Sequence, residues 1–398
     1  MIITPMIRSN MCLNAHPQGC AKEVENQIEY IREKTSTRKL HTEKIHAALV
    51  LGCSTGFGLA SRITAAFGYG ASTIGVSFEK EGTPTKGGTP GWYNNMAFDR
   101  ASTKAKLPSF TINGDAFSDA VRTQVIEAAK KMNIKFDLVV YSLASPVRTD
   151  PDTGVLYRSV LKPFGERYSG QTVDPLTGKL SMMHAEPAND QEALETIKVM
   201  GGEDWERWIN QLTKADVLSK GCTTVAYSYI GPAISHSIYR NGTIGGAKQH
   251  LAETAHKLNS VMKETLGGSA YVSVNKGLVT RSSAVIPIIP LYLSILFRVM
   301  KQKGTHEGCI EQIERLFAER LYTGAPVPID AEKFIRIDDW EMEADVQKEV
   351  CERLDRVTEE NLPELGDLVG YHHDFLSANG FDVAGVDYEA DVERLDTI

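Results

Sequence analysis

The chain of 398 residues is 42% hydrophobic and 24% charged, which suits a globular protein long enough to bury a large core. Its formal net charge of -8 at pH 7 excludes the basic surface that nucleic acid requires. The N-terminus lacks the basic segment and long apolar core of a signal peptide. The most apolar stretch, Ala284–Phe297, is too short to span a bilayer and is interrupted by Pro287 and Pro290, so no membrane span is expected. Six cysteines without a Cys-x-x-Cys pair read as reduced thiols of a cytoplasmic protein. Cys12, His16 and Cys20 match no zinc spacing, and no metal is expected.

In chain order, a helix over Val24–Lys34 precedes an alternation of strand and helix patterns. Strand-like runs are Ala47–Gly52, Ser72–Glu79, Ser109–Asn113, Asp137–Leu143, Thr223–Tyr229 and Ala270–Asn275. Helical patterns between them cover Gly58–Phe67, Asn94–Lys104, Asp119–Met132, Glu203–Leu218 and Ile244–Met262. The alternation predicts an α/β fold, a doubly wound parallel sheet with helices on both faces. An insertion over residues 146–190 contains a predicted hairpin at Val173–Leu180, a flap beside the cofactor. After Thr280 come the apolar segment, a helix (His306–Leu321), a hairpin (Pro328–Trp340) and helices over Ala344–Val357 and Leu362–Ala378. The resulting plan has an N-terminal segment 1–45, a nucleotide-binding core 46–280, and a helical cap 281–398 that forms one compact unit with the core.

The first strand runs into Gly52-Cys53-Ser54-Thr55-Gly56-Phe57-Gly58 and then into a helix. A strand, a glycine turn and a helix N-terminus in that order form a pyrophosphate site. The Gly-x-x-x-Gly-x-Gly spacing resembles the short-chain dehydrogenase/reductase variant of the Rossmann fold. Glu79, at the end of the second strand, is placed to bond a ribose 2′-hydroxyl and repel a 2′-phosphate, which points to NADH, with Lys80 softening that repulsion. Asp115-Ala116 follows the third strand, at the adenine edge. The fourth strand ends in Tyr141-Ser142-Leu143-Ala144-Ser145-Pro146, whose small residues leave room for the nicotinamide ribose.

Tyr239 and Lys248 are nine residues apart, which on a continuous helix places them on opposite faces. Asn241-Gly242 breaks the helix and Thr243 is the expected N-cap, so Tyr239 lies in a loop that folds back toward Lys248. A phenol near a substrate carbonyl stabilises an enolate and passes a proton, and a neighbouring ammonium holds the ribose and lowers the phenol's pKa. His236 is a competing acid, and Arg148 and Lys162 are nearby cations for phosphates.

At these residues the chain resembles the trans-2-enoyl-CoA reductases, grouped with the type V (FabV-like) enoyl-ACP reductases. The resemblance rests on His16–Cys20, Gly88–Asn95, Val199–Trp205, Ala226–Gly231, Ser273–Thr280, Asn379–Asp382 and the Tyr-x8-Lys spacing. It implies NADH-dependent reduction of the C2=C3 bond of a trans-2-enoyl thioester, with hydride to the β-carbon and a proton to the α-carbon. It makes Tyr239 the proton donor, Lys248 a catalytic and cofactor-binding lysine, and Tyr229 a second catalytic tyrosine that meets the substrate carbonyl. The implied NAD contacts are Gly52, Cys53, Ser54, Thr55, Gly56, Phe57, Phe78, Glu79, Asp115, Ala116, Leu143, Ala144, Lys248, Leu278, Val279 and Thr280. Acyl-CoA or an acyl-carrier-protein thioester is the implied substrate, the apolar segment after Thr280 walls the acyl pocket, and the assembly is a monomer or a homodimer. A carbonyl or alcohol dehydrogenase using the same tyrosine, and a non-catalytic dinucleotide sensor, are the alternative readings.

Overall fold

A computed structural model of the protein describes residues 1–8, 11–37, 45–281, 283 and 289–398. The chain enters through a short antiparallel pair, β1 (Ile7–Arg8) and β2 (Met11–Cys12), and helix α1 (Pro17–Thr37). Then β3 (Ala47–Leu51), α2 (Gly56–Ile63), β4 (Ser72–Ser77), α3 (Pro90–Ala105), β5 (Ser109–Asn113), α4 (Asp119–Lys131) and β6 (Phe136–Tyr141) alternate as the pattern predicts. Hairpins β7 (Val147–Thr149)–β8 (Leu156–Arg158) and β9 (Tyr168–Val173)–β10 (Leu180–Ala185) follow, with α5 (Asp190–Met200) and α6 (Glu203–Lys214). The core closes with β11 (Leu218–Ser228), α7 (Thr243–Leu266) and β12 (Ser269–Val274). Beyond it lie α8 (Ile289–Lys303), α9 (Cys309–Leu316), β13 (Phe334–Arg336), α10 (Ala344–Leu354), α11 (Leu362–Leu365) and α12 (Leu368–Ser377).

Seven strands form one parallel sheet in the order β13-β12-β11-β6-β3-β4-β5. The chain runs outward from β3 to β5, then returns to β6 on the other side of β3. That reversal opens a crevice at the carboxyl ends of β3 and β6, where such sheets bind ligands. Side chains alternate between two apolar cores. Ala47, Leu49 and Leu51 of β3 face Val125, Trp208 and Leu258 from α4, α6 and α7, whereas Ala48 and Val50 face Ile28, Leu59 and Phe98 from α1, α2 and α3. A strand covered on both faces has no polar side, which is why β3 reads as an unbroken apolar run. A third core joins Val173 and Tyr239 to α8, α10 and α12.

Several expectations change. Val173–Leu180 is the turn of the β9–β10 hairpin, and Val173 packs into the core that contains α8, so the flap leans on the C-terminal helices. The expected hairpin at Pro328–Trp340 is the single strand β13, because Phe334–Arg336 finds its backbone partner on the open edge of β12. The helix over Leu362–Ala378 breaks at Gly366, and Asp367 caps the second piece by accepting from the Gly370 N–H. Helix α5 was not anticipated, although its Asn189/Glu192 capping box is legible in the sequence. Residues 284–288 of the apolar stretch lie outside the described residues; its remainder begins α8. Among the described residues no helix is long and apolar enough to cross a membrane.

Two of the quoted strings meet each other, in the contact between the start of α1 and the C-terminal segment. The N–H of His16 donates to the Asn379 carbonyl at 3.0 Å, and a side chain at Gly19 would lie 1.6 Å from the Gly380 oxygen. Gly19→Ala therefore forces a backbone shift costing roughly 1–3 kcal/mol. The expected result is a melting temperature lower by several degrees with NADH affinity retained, measured by thermal unfolding and cofactor titration.

Candidate active site

Gly52 turns the chain at φ +85°, and a side chain there would strike the Ser142 carbonyl at 2.1 Å. Gly58 in turn packs on Gly52, where a Cβ would lie 1.9 Å from the Gly52 oxygen. The loop from Gly52 to Phe57 thus lies across the crevice with Leu143 against Gly52 and Ala144 exposed. No side chain caps α2 at Thr55, which leaves the amides of its first turn available to an anion. The methyl of Thr280 faces this turn, 3.8 Å from where a Cβ of Gly56 would stand. Leu278 and Val279, just before it, are buried.

The string Gly88–Asn95 holds this loop. Asn94 donates to the Ser54 carbonyl (2.9 Å), and Asn95 bonds both Ser77 Oγ (2.9 Å) and Cys53 Sγ (3.6 Å). Gly91 must lack a side chain, because a Cβ there would stand 2.2 Å from Glu79 Oε1. The Glu79 carboxylate accepts from Ser54 Oγ at 2.6 Å and faces Arg281 Nη1 at 3.7 Å. Lys80, expected to soften its charge, is exposed, and the cation beside Glu79 is Arg281. Sequence reading missed that arginine, whose only signal is its place next to Thr280. Phe78 is 79% exposed and offers a flat apolar face beside Glu79. Asp115 accepts from the Phe117 N–H at 2.9 Å, and the Ala116 carbonyl accepts from Trp208 Nε1 at 3.0 Å, so both brace the turn after β5.

Tyr229 and Tyr239 meet edge to face, ring centroids 5.3 Å apart, in the core that includes Leu278 and α8. Burial raises the Tyr239 phenol to about 12, so it stays protonated at every physiological pH. Lys248, on the first turns of α7, is half-buried and donates to the Tyr227 carbonyl at 3.3 Å; desolvation lowers its pKa to about 8. The ammonium was expected to lower the phenol's pKa; instead Lys248 bonds Tyr227, and burial dominates at Tyr239. Tyr227 supports the glycine loop, its hydroxyl 2.6 Å from Ser61 Oγ and its ring tilted on Phe57. Thr243 begins α7 but is not its cap. Its hydroxyl donates to the Val160 carbonyl and accepts from the Lys162 N–H, so it ties the insertion to the helix. His236 Nε2 bonds the Gly231 carbonyl at 3.1 Å. Arg148 is buried on Glu203 and Lys162 pairs with Glu192, so neither is a free cation for phosphates.

These features suit a dinucleotide: an uncapped helix N-terminus for phosphates, a carboxylate with an exposed ring next to it, and an ammonium held on the Tyr227 carbonyl. Comparisons with known proteins agree. Residues 86–322 match the family model described as the trans-2-enoyl-CoA reductase catalytic region, and residues 2–84 match the NAD(P)H binding domain of trans-2-enoyl-CoA reductase. The trans-2-enoyl-CoA reductase [NADH] of Treponema denticola is 64% identical, covering 100% of both chains. The enoyl-[acyl-carrier-protein] reductase [NADH] of Flavobacterium johnsoniae is 53% identical, covering 99% of this chain and 98% of that one. The crystal structure of the Treponema denticola enzyme in complex with NAD superimposes with a TM-score of 0.97 over 100% of both chains. Residues 329–392 match a third model, described as an enoyl reductase FAD binding domain. Those residues do not fit a flavin: β13 leads into a turn carrying Glu341 rather than a glycine loop, and Val346, Val350, Leu362, Tyr371 and Phe375 are packed into the core around α8. With both the sequence strings and the fold in agreement over its whole length, the chain belongs to the trans-2-enoyl-CoA reductase family.

Proposed function

We propose that Tyr239 is the proton donor, Lys248 the lysine that holds the cofactor ribose, and Tyr229 the hydroxyl that meets the substrate carbonyl. The reaction they serve is NADH-dependent reduction of the C2=C3 bond of a trans-2-enoyl thioester. The observation that carries this reading is the Tyr229–Tyr239 pair, edge to face in a core that takes in both Leu278 and α8, with Lys248 bonded to the Tyr227 carbonyl two residues before Tyr229. Bound NADH supplies a hydride to the β-carbon. The electron pair of the double bond then moves onto the thioester oxygen, where the hydroxyls of Tyr229 and Tyr239 stabilise the enolate. Tyr239 gives its proton toward the α-carbon and is reprotonated from solvent. Ile289–Phe297 of α8 exclude water from the acyl chain, since this whole face of the helix is buried. The glycine loop and Thr280 hold the pyrophosphate, and Glu79 meets the adenosine ribose.

CoA thioesters are preferred to carrier-protein thioesters in this reading, because a net charge of -8 disfavours docking an acidic carrier protein. The site is cytoplasmic, with residues 1–45, 46–280 and 281–398 folded as one unit. Following NADH absorbance with crotonyl-CoA tests the reading: rapid oxidation is expected, whereas turnover of simple ketones alone would establish a carbonyl dehydrogenase. In the same assay Glu79→Ala should raise the NADPH-to-NADH ratio of kcat/KM by about tenfold or more, since Arg281 then faces a 2′-phosphate unopposed. An unchanged ratio would remove Glu79 from cofactor discrimination.

A further inference from the structure

Behind Tyr229 lies a carboxyl group to which the mechanism above gives no part. Glu341, in the turn between β13 and α10, is fully buried. Its Oε1 accepts from the hydroxyls of Tyr292 on α8 (2.7 Å) and Tyr229 at the end of β11 (3.2 Å). Its Oε2 accepts from the Gly277 N–H (2.7 Å), where the chain leads into Leu278–Thr280. Gln347 of α10 braces the arrangement, donating to the Tyr292 hydroxyl (3.2 Å) and to the Glu341 carbonyl (2.7 Å). Lys276 is buried close by, but its ammonium bonds the Gly277 carbonyl (3.2 Å) and lies over the Phe297 ring (4.7 Å). A single carboxyl group thus joins the element that carries Tyr229, the loop entering the cofactor side, and the helix that walls the acyl side.

A phenol has one hydrogen to donate. Against an ionised Glu341, Tyr229 directs that hydrogen at the carboxylate and presents only lone pairs to the crevice. Against a neutral carboxyl, Oε1 accepts from Tyr292 and gives its own hydrogen to the Tyr229 oxygen, which leaves the Tyr229 hydrogen free. Burial is the largest influence on Glu341 and raises its pKa, opposed by Lys276, the Gly277 N–H and Tyr292.

We propose that Glu341 is a positioning residue for the reduction: its carboxyl, bonded at once to Tyr292, Gly277 and Tyr229, fixes where the Tyr229 hydroxyl stands against the thioester carbonyl of the substrate. The proposal rests on the reading of Tyr229 as the hydroxyl that meets that carbonyl. The test is a set of steady-state measurements with crotonyl-CoA and NADH on Tyr229→Phe, Glu341→Gln, Glu341→Leu and the double variant Tyr229→Phe/Glu341→Leu. An amide at 341 can accept from Gly277 and donate to Tyr229 without charge, so Glu341→Gln should stay within roughly threefold of the native kcat. Glu341→Leu should lower kcat by about tenfold or more with little change in the KM for NADH, and should add less than about threefold to the loss in Tyr229→Phe, as expected for two groups acting as one unit.

Two outcomes overturn the proposal alone: Glu341→Gln as impaired as Glu341→Leu, or losses that multiply in full in the double variant. A native kcat in Tyr229→Phe overturns the reading of Tyr229 and this inference with it. Should Glu341→Leu fail to fold, as thermal melting would reveal, Glu341→Asp carries the same comparison, its carboxyl one methylene short of both hydroxyls.

Discussion

Tyr239→Phe should lower kcat for crotonyl-CoA by at least about 10²-fold, the usual scale for removing a general acid, while the NADH Kd stays near its native value. The two effects separate because the phenol ring is part of a packed core and the hydroxyl is not. The ring meets Tyr229 at 5.3 Å and shares its core with Ile238, Ile244 and Leu278, contacts that phenylalanine retains. Among the described residues the Tyr239 hydroxyl makes no hydrogen bond, so its removal leaves no buried partner unsatisfied. With the phenol raised to about 12, titration of Tyr239 should leave the rate unaltered from pH 6 to 9. Stopped-flow and steady-state rates across that range, with cofactor titration by fluorescence, check the prediction. A variant that keeps its native kcat would remove Tyr239 from the proton-donor role.

Lys248→Met should weaken NADH binding by roughly 10- to 100-fold at pH 7, the range for losing a charge-assisted hydrogen bond at a half-buried site. Burial lowers Lys248 to about 8 in the free protein, so the side chain is mainly charged at pH 7 and neutral well above pH 8. An anionic cofactor binds the charged form more tightly, so affinity is full below pH 8 and falls as the pH rises through it. Binding raises the lysine's pKa by linkage. In Lys248→Met the weaker affinity should no longer vary across that window. Lys276 is also lowered to about 8, and a pH dependence that persists in Lys248→Met would assign the titration to Lys276 instead. Isothermal titration with NADH from pH 6.5 to 9.5 distinguishes the two.

The local geometry that depends on short spacing was legible in the sequence. A strand buried on both faces must be apolar throughout, and a chain approaching phosphate must have glycines, so the stretch from Ala47 to Gly58 announces its geometry locally. The break between Tyr239 and Lys248 was legible for a similar reason, since Gly242 disfavours a continuous helix, although the cap itself was misassigned. Thr243 illustrates why: a hydroxyl placed to cap a helix also bonds whatever lies nearby, and here the insertion at Val160 and Lys162 takes it. The β13 segment was read as a hairpin because turn residues flank it, while its partner, the open edge of β12, lies some sixty residues earlier in the chain.

By itself the sequence determined the alternating α/β order, the glycine turn between β3 and α2, the acid just after β4 and the family, because each depends on residues close in the chain or on strings long enough to identify. Only the tertiary structure decided which groups meet: Arg281 and Glu79, Lys248 and the Tyr227 carbonyl, and Glu341 with Tyr229, Tyr292 and Gly277. Those pairings join residues as many as 202 positions apart, as for Arg281 and Glu79. No local pattern encodes them, since they arise where separate elements are forced together by packing and where a buried polar group must find a partner or remain unsatisfied.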